Sequence, residues 1–245
     1  MRAGVPAWLL IAAAEVTVLR RSVFSVSMAA VLPTALGLLI LWAEQDTGRA
    51  GWGAAAGLVL VTLTTFTAYV GGTTTLAARR QQFVLKRLRM SGASDTAIVA
   101  GMLAPLALLT GLQMVVLFGI LAAVDGLAPI RPVPLLAAVG LGTVVAGTLA
   151  VVTAGFTATP ELAQITTSPI ALAFVGGGLW AARIPAEQVS WAMLALPGAA
   201  VTQLARVAWR EPGATDLAGA VLALALLAAV ATPLAIRRLR WDPRR

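Results

Sequence analysis

The side chains of this sequence that could do chemistry are few, and most of them are cations. The chain has no His and no Cys. That removes the commonest general base and zinc ligand and leaves no thiolate site or disulfide framework. Lys and Arg number 18 against 10 Asp and Glu, for a net charge of +8. Their densest run is Arg79-Arg80-Gln81-Gln82-Phe83-Val84-Leu85-Lys86-Arg87-Leu88-Arg89-Met90-Ser91. Within it Phe83, Val84 and Leu88 fall at near-helical spacing with the bases on the other side. Ser91-Gly92 then offers a helix stop, and Ser94 or Asp95 a cap for the next helix. Such a segment is either a basic anchor against lipid or a short surface helix that docks on a cytoplasmic partner, and its own residues favour neither. Lys86 is the only lysine and no Walker A sequence exists, so nucleotide hydrolysis is not expected on this chain. Neither a catalytic nor a metal site is expected.

The elements that must position these residues are membrane helices. Of 245 residues, 59% are hydrophobic and 11% charged, with a mean hydropathy of +0.90. A soluble domain shows about 45–50% and about 25%. The fold class expected is all-α, a polytopic membrane protein. Charge-free stretches long enough to cross about 30 Å of hydrocarbon predict six spans at about 22–42, 53–78, 97–124, 133–158, 163–182 and 216–236. Strands are disfavoured because the runs are Leu/Ala-rich without period-2 alternation. Residues 5–20 precede the first span as an interfacial helix, with Trp8, Ile11, Ala12, Val16 and Leu19 on one side.

With the amino terminus inside, thirteen of the eighteen basic residues and four of the ten acids fall on the cytoplasmic side, a balance of +9 inside and −1 outside. The positive-inside rule thus places both termini in the cytoplasm. The same bases sit beside lipid head groups, so the high pI needs no nucleic acid. The outer segment Arg183–Asp216, with the expected re-entrant part at 185–210, is nearly as apolar as a core helix, yet Pro185, Pro197 and Pro212 interrupt it. It suits helices dipping into the outer leaflet, with Trp191 and Trp209 at head-group depth.

No span carries an Asp, Glu, Lys or Arg well inside it, which argues against an ion-coupled carrier. Thr62, Thr65 and Tyr69 in the second span, with Gln113 and Met114 in the third, either pack helices or line a substrate path. Gly176-Gly177-Gly178 in the fifth is a kink or a close crossing.

In this order the parts resemble the type-2 ABC transporter permeases, the membrane subunits of many bacterial and especially actinobacterial exporters. Leu85-Lys86-Arg87-Leu88-Arg89 with Ser91 is similar to the family's Thr-Leu-Lys/Glu-Arg-Leu-Arg-x-Ser-Pro coupling stretch. Pro169, Phe174, Gly176, Pro185, Leu196-Pro197 and Arg206 resemble the landmarks of the fifth span and the re-entrant helices before the last span. The family's Glu-Arg-Glu stands here as Arg79-Arg80-Gln81, its Gly-Thr as Phe83-Val84 and its Pro as Gly92. The resemblance implies a coupling segment at 79–95, with Arg80 to Ser94 fitting a cleft on each of two ABC ATPase subunits that bind ATP and Mg. It also implies a second permease, the same chain or a related one, in the bacterial inner membrane. Phe174 joins the expected substrate path, and a hydrophobic or amphipathic cargo (drug, lipid or peptide-like) moved outward suits its lining. The alternative function is a non-transporting membrane anchor or an assembly or sensor protein.

Overall fold

The computed structural model describes residues 5–21, 27–45, 51–125 and 129–238. Among them there is no strand. Eleven α-helices follow one another among these residues: α1 Ala7–Arg21, α2 Leu32–Ala43, α3 Trp52–Leu63, α4 Gly71–Gln81, α5 Val84–Met90, α6 Asp95–Asp125, α7 Pro132–Ala154, α8 Ala163–Arg183, α9 Trp191–Leu194, α10 Pro197–Ala208 and α11 Leu217–Arg238. Two π-helical segments adjoin them, Ser27–Val31 before α2 and Thr64–Val70 between α3 and α4. The second joins its neighbours into one continuous helix, Trp52–Gln81.

Among the described residues five helices are long and apolar enough to cross a membrane: Trp52–Gln81, Asp95–Ala123, Pro132–Ala154, Ala163–Arg183 and Leu217–Arg237. The sixth expected span is represented by a shorter apolar helix, Ala29–Ala43. At 1.5 Å per residue its 15 residues reach only about 22 Å. The start expected for that span, residues 22–26, lies outside the described residues. The protein is an all-α, polytopic membrane protein.

At its centre is α10. All twelve of its residues are buried, enclosed by α3, α7, α8 and α11. Eleven of the twelve residues of α3 are buried as well. In hydrocarbon, helices gain little from hiding apolar surface from one another, so close approach over small residues does the work. Gly53 and Gly57 supply it here, spaced i, i+4 on one face of α3. A Cβ on Gly57 would stand 2.8 Å from the Thr202 Cα, and one on Gly53 would stand 2.8 Å from the Arg206 Cα. Gly177 and Gly178 of α8 make similarly tight approaches to Leu196 and to Val61. The glycine run is therefore a close crossing.

The α1 helix lies against α6. Ile11 and Ala12 are buried, and a Cβ on Gly101 would come within 2.7 Å of the Ile11 Cβ. Trp8, Leu9, Leu10, Val16 and Val18 of α1 are exposed.

Because the atom facing Gly57 is backbone, a larger side chain there must separate α3 from α10. Gly57→Leu is expected to destabilise the chain by about 1–3 kcal/mol, read as a lower unfolding midpoint of the detergent-purified protein, with Ala54→Leu on the half-buried side of α3 as the control.

Candidate functional site

At one end of the bundle the basic run forms the turn between α4 and α6. Helix α4 ends at Gln81, and Phe83 takes the left-handed conformation, φ 59°. Few L-residues other than glycine adopt it cheaply. The resemblance places a glycine at this position. After Phe83 the chain restarts as α5, stops at Ser91-Gly92 (Gly92 φ 84°), and begins α6. Both expected cap residues act locally. The Ser91 hydroxyl donates to the Leu88 carbonyl at 2.7 Å, and the Ser94 Oγ accepts from the Ala97 amide at 3.2 Å.

The two faces of α5 differ. Leu85 is buried among Leu76, Ile98, Met102, Val151 and Ala235, with Leu88 packed half-buried beside it. Arg80 also turns inward. Its guanidinium donates from Nη1 to the Ala154 carbonyl at 2.8 Å and from Nη2 to the Thr157 carbonyl. These carbonyls close the C-terminus of α7, where a cation meets both the helix dipole and unpaired acceptors. Phe83, Lys86, Arg87, Arg89 and Met90 point out. Arg80 and Leu85, which the resemblance implied would fit a cleft on a partner, turn inward and fasten the segment to its own chain. Periodicity places Leu85 and Leu88 on one apolar side but says nothing of Arg80, whose partners lie more than seventy residues away.

Arg79 adds a second fastening. Its Nη2 and Nε reach Glu15 Oε2 of α1 at 2.7 and 3.1 Å, and both side chains are largely buried. At the same end the Thr159 hydroxyl holds the exposed Glu161 carboxyl below the usual carboxylate range.

The expected path residues are all buried. Tyr69 and Phe174 stack with centroids 6.1 Å apart, and the Tyr69 hydroxyl pairs with Thr153 Oγ1 at 3.0 Å. Gln113 is the hub of another group. Its Nε2 donates to the Ala30 carbonyl and to Thr34 Oγ1, at 3.0 and 2.9 Å. Its Oε1 lies 3.0 Å from the Thr67 hydroxyl, which also reaches the Ala29 carbonyl at 2.9 Å. Ala29 and Ala30 belong to one π-helical segment and Thr67 to the other. The wider π turns set backbone groups out of the α-helical ladder, and a single amide joins them. Met114 packs in the apolar core. The Thr62 hydroxyl bonds back to Leu58, and the Thr65 hydroxyl is buried.

At the far end Arg206 is 3% exposed. It donates to the Ala181 and Ile184 carbonyls at 2.6 and 2.9 Å, at the C-terminus of α8, and pairs with Glu211 at 2.5 Å. Trp191 is exposed, and Trp209 packs edge-on against Phe118 with ring centroids 5.3 Å apart. Pro197 opens α10 at its first turn, where its missing N–H is no loss. Pro185 precedes a 3-10 turn at Ala186–Gln188.

The family model described as "ABC-2 family transporter protein" matches residues 27–237. The chain belongs to that family. An ABC-2 permease is the membrane subunit of an ABC transporter, a class that works with an ABC ATPase partner. No curated protein and no solved structure matches the chain.

Arg206→Met leaves Glu211 buried without its cation, so a loss of about 3–5 kcal/mol in unfolding free energy is expected. Adding Glu211→Gln should recover the part owed to the unpaired carboxylate and leave the part owed to the Ala181 and Ile184 carbonyls, a double-mutant cycle measurable by denaturant titration in detergent.

Proposed function

We propose that this chain is the permease of an ATP-driven exporter for a hydrophobic or amphipathic substrate, coupled to its ATPase through α5 and the turns flanking it. The observation that carries this is the division of α5 into a fastened face and a presented one. Outward stand Phe83 and three cations, Lys86, Arg87 and Arg89. Inward, Leu85 sits in a cluster shared by α1, α4, α6, α7 and α11. A displacement imposed on the outer face passes directly to those helices.

In this reading the end carrying α5 faces the cytoplasm of a bacterial inner membrane, with both termini on that side. Two ATPase subunits bind ATP and Mg, each receiving one α5 segment, and two permeases, identical or related, stand side by side above them. Closure of the ATPases around nucleotide favours one global state of the permease pair, and that difference in binding energy is the drive. Cations on α5 favour an acidic cleft. Exposed pairs contribute about 0.2–1 kcal/mol each, so the larger share of the docking energy falls to Phe83 entering an apolar pocket.

Co-purification with ATPases encoded beside this gene tests the proposal; absence of any associated ATPase would overturn it. Charge neutralisation of Arg87 or Arg89 alone should weaken that association by less than about sixfold. Phe83→Gly separates fold from docking. It relieves the left-handed backbone, raising the unfolding midpoint by the equivalent of about 1 kcal/mol, yet it should weaken ATPase binding and substrate-stimulated ATP turnover by about tenfold or more. Turnover and binding unchanged in this variant would remove Phe83 from the docking face.

A further inference from the structure

The buried apolar side chains of the bundle fall into two main clusters. The larger surrounds α10 and draws Tyr69 from the second span, Met114 from α6, Ala150 from α7 and Leu224 from α11. The smaller lies beneath α5 and draws Leu76, Met102, Val151 and Ala235 from the same four helices. Three of the four have an irregular backbone where they pass from one cluster to the other. In the second span the π-helical segment ends at Val70, and Gly71-Gly72 follow before Leu76. In α6, Pro105 falls between Met102 and Met114, and in α11, Pro233 falls between Leu224 and Ala235. The fourth helix, α7, ends at Ala154, within a turn of its own divide.

We propose that the cluster beneath α5 moves as one body against the cluster around α10, bending at Gly71-Gly72, Pro105 and Pro233, with the Tyr69 hydroxyl as the catch between them. Helices bend at prolines, glycine pairs and π turns, because a proline removes an amide donor from the ladder and a π turn interrupts its spacing. Proline is common in membrane helices, so one alone would mean little. Here the breaks coincide with the edge between two packed bodies. Two of them also adjoin. A Cβ on Gly71 would stand 3.6 Å from Leu106 Cδ1, and one on Gly72 would stand 3.1 Å from Leu103 Cδ2, on either side of Pro105. The arms that carry α5 are matched as well: Gly71–Gln81 has 11 residues, and Asp95 to Pro105 has the same number, about 16 Å each. Helix α1 rides with these arms through the Arg79–Glu15 pair and the Ile11–Gly101 contact. The Tyr69 ring belongs to the other body, stacked on Phe174, while its hydroxyl reaches Thr153 Oγ1 at 3.0 Å, on the last turn of α7. A single hydrogen bond contributes little net, so such a catch opens readily. The proposal rests on the α5 docking reading for the force that drives the bend, and not for the bend itself.

The chain has no Cys, so paired Cys substitutions take spin labels without background, and pulsed EPR on the full chain in nanodiscs reads the distances. Three pairs of exposed positions serve. Met90→Cys with Leu222→Cys spans the divide, Leu112→Cys with Leu222→Cys stays in the α10 body, and Val16→Cys with Ile236→Cys stays in the α5 body. The first pair should show two distance components. Tyr69→Phe should raise the ratio of the minor component to the major about fivefold, with the other two pairs unchanged. Gly71→Ala, Pro105→Ala and Pro233→Ala together should remove the minor component. A Cβ at position 71 meets nothing closer than 3.5 Å, and each Pro→Ala change restores a helical amide, so this variant should unfold no earlier than the wild type. In the complex with the ATPase, ATP and vanadate should enrich the minor component. The triple variant should bind the ATPase as tightly as the wild type yet lose ATP-driven substrate movement. One component in both the wild type and Tyr69→Phe, equal changes in all three pairs, or a triple variant that responds as the wild type overturns the proposal. Failure to find an ATPase leaves the two-component result as it stands. A chain that does not bend but still binds an ATPase through α5 removes the hinge and spares the docking.

Discussion

The rest of the molecule depends on how closely α3 and α10 approach. Two helices in hydrocarbon have no water to escape, so their association rests on packing and on the polar groups they can satisfy between them. Gly53 and Gly57 remove side chains from the contact, which lets the Thr202 and Arg206 backbone settle against α3. With α10 held there, α8 packs against both of them through Gly177 and Gly178, and α7 and α11 also enclose α10. A twelve-residue helix too short to span a bilayer thus becomes the most enclosed element of the fold.

Two buried arginines fix the opposite ends. Arg80 donates to carbonyls at the end of α7, and Arg206 does the same for α8. The logic is shared. A helix that ends inside the protein leaves carbonyls without partners, and water is not there to supply them. A guanidinium offers five donors in a fixed fork and stays charged under all ordinary conditions. At one end the arrangement holds the start of the α4–α5 turn against α7. At the other it holds α8, α10 and the Glu211 turn as one unit.

Between these ends the polar groups are arranged to join helices. Gln113 ties both π-helical segments, and Tyr69 ties the second of them to α7 through Thr153. The fastened side of α5, the Glu15–Arg79 pair and this network form a continuous mechanical connection from the basic turn into the bundle. Such a connection is what an energy-coupled membrane subunit requires, because force arriving at a loosely attached helix would be lost in moving that helix alone.

Much of this was legible in the sequence. Hydropathy is a property of contiguous residues, so the membrane class, the all-α fold and the location of the long helices could be read from composition and run length. The basic turn was visible for the same reason, as were its stops at Ser91-Gly92. Facing was harder to read. Arg80 and Leu85 belong to the same run as Arg87 and Phe83, yet they point the opposite way, because the carbonyls and apolar side chains that claim them come from α7 and α6. The Gly53-x-x-x-Gly57 spacing was in plain view, but its importance depends on α10 lying across it, nearly 150 residues downstream. The left-handed Phe83 has no local signature at all, since a phenylalanine enters that conformation only when burial on both sides of the turn outweighs its strain. Local sequence sets what each segment is; which neighbour each side chain meets is decided only when distant segments compete for the same space.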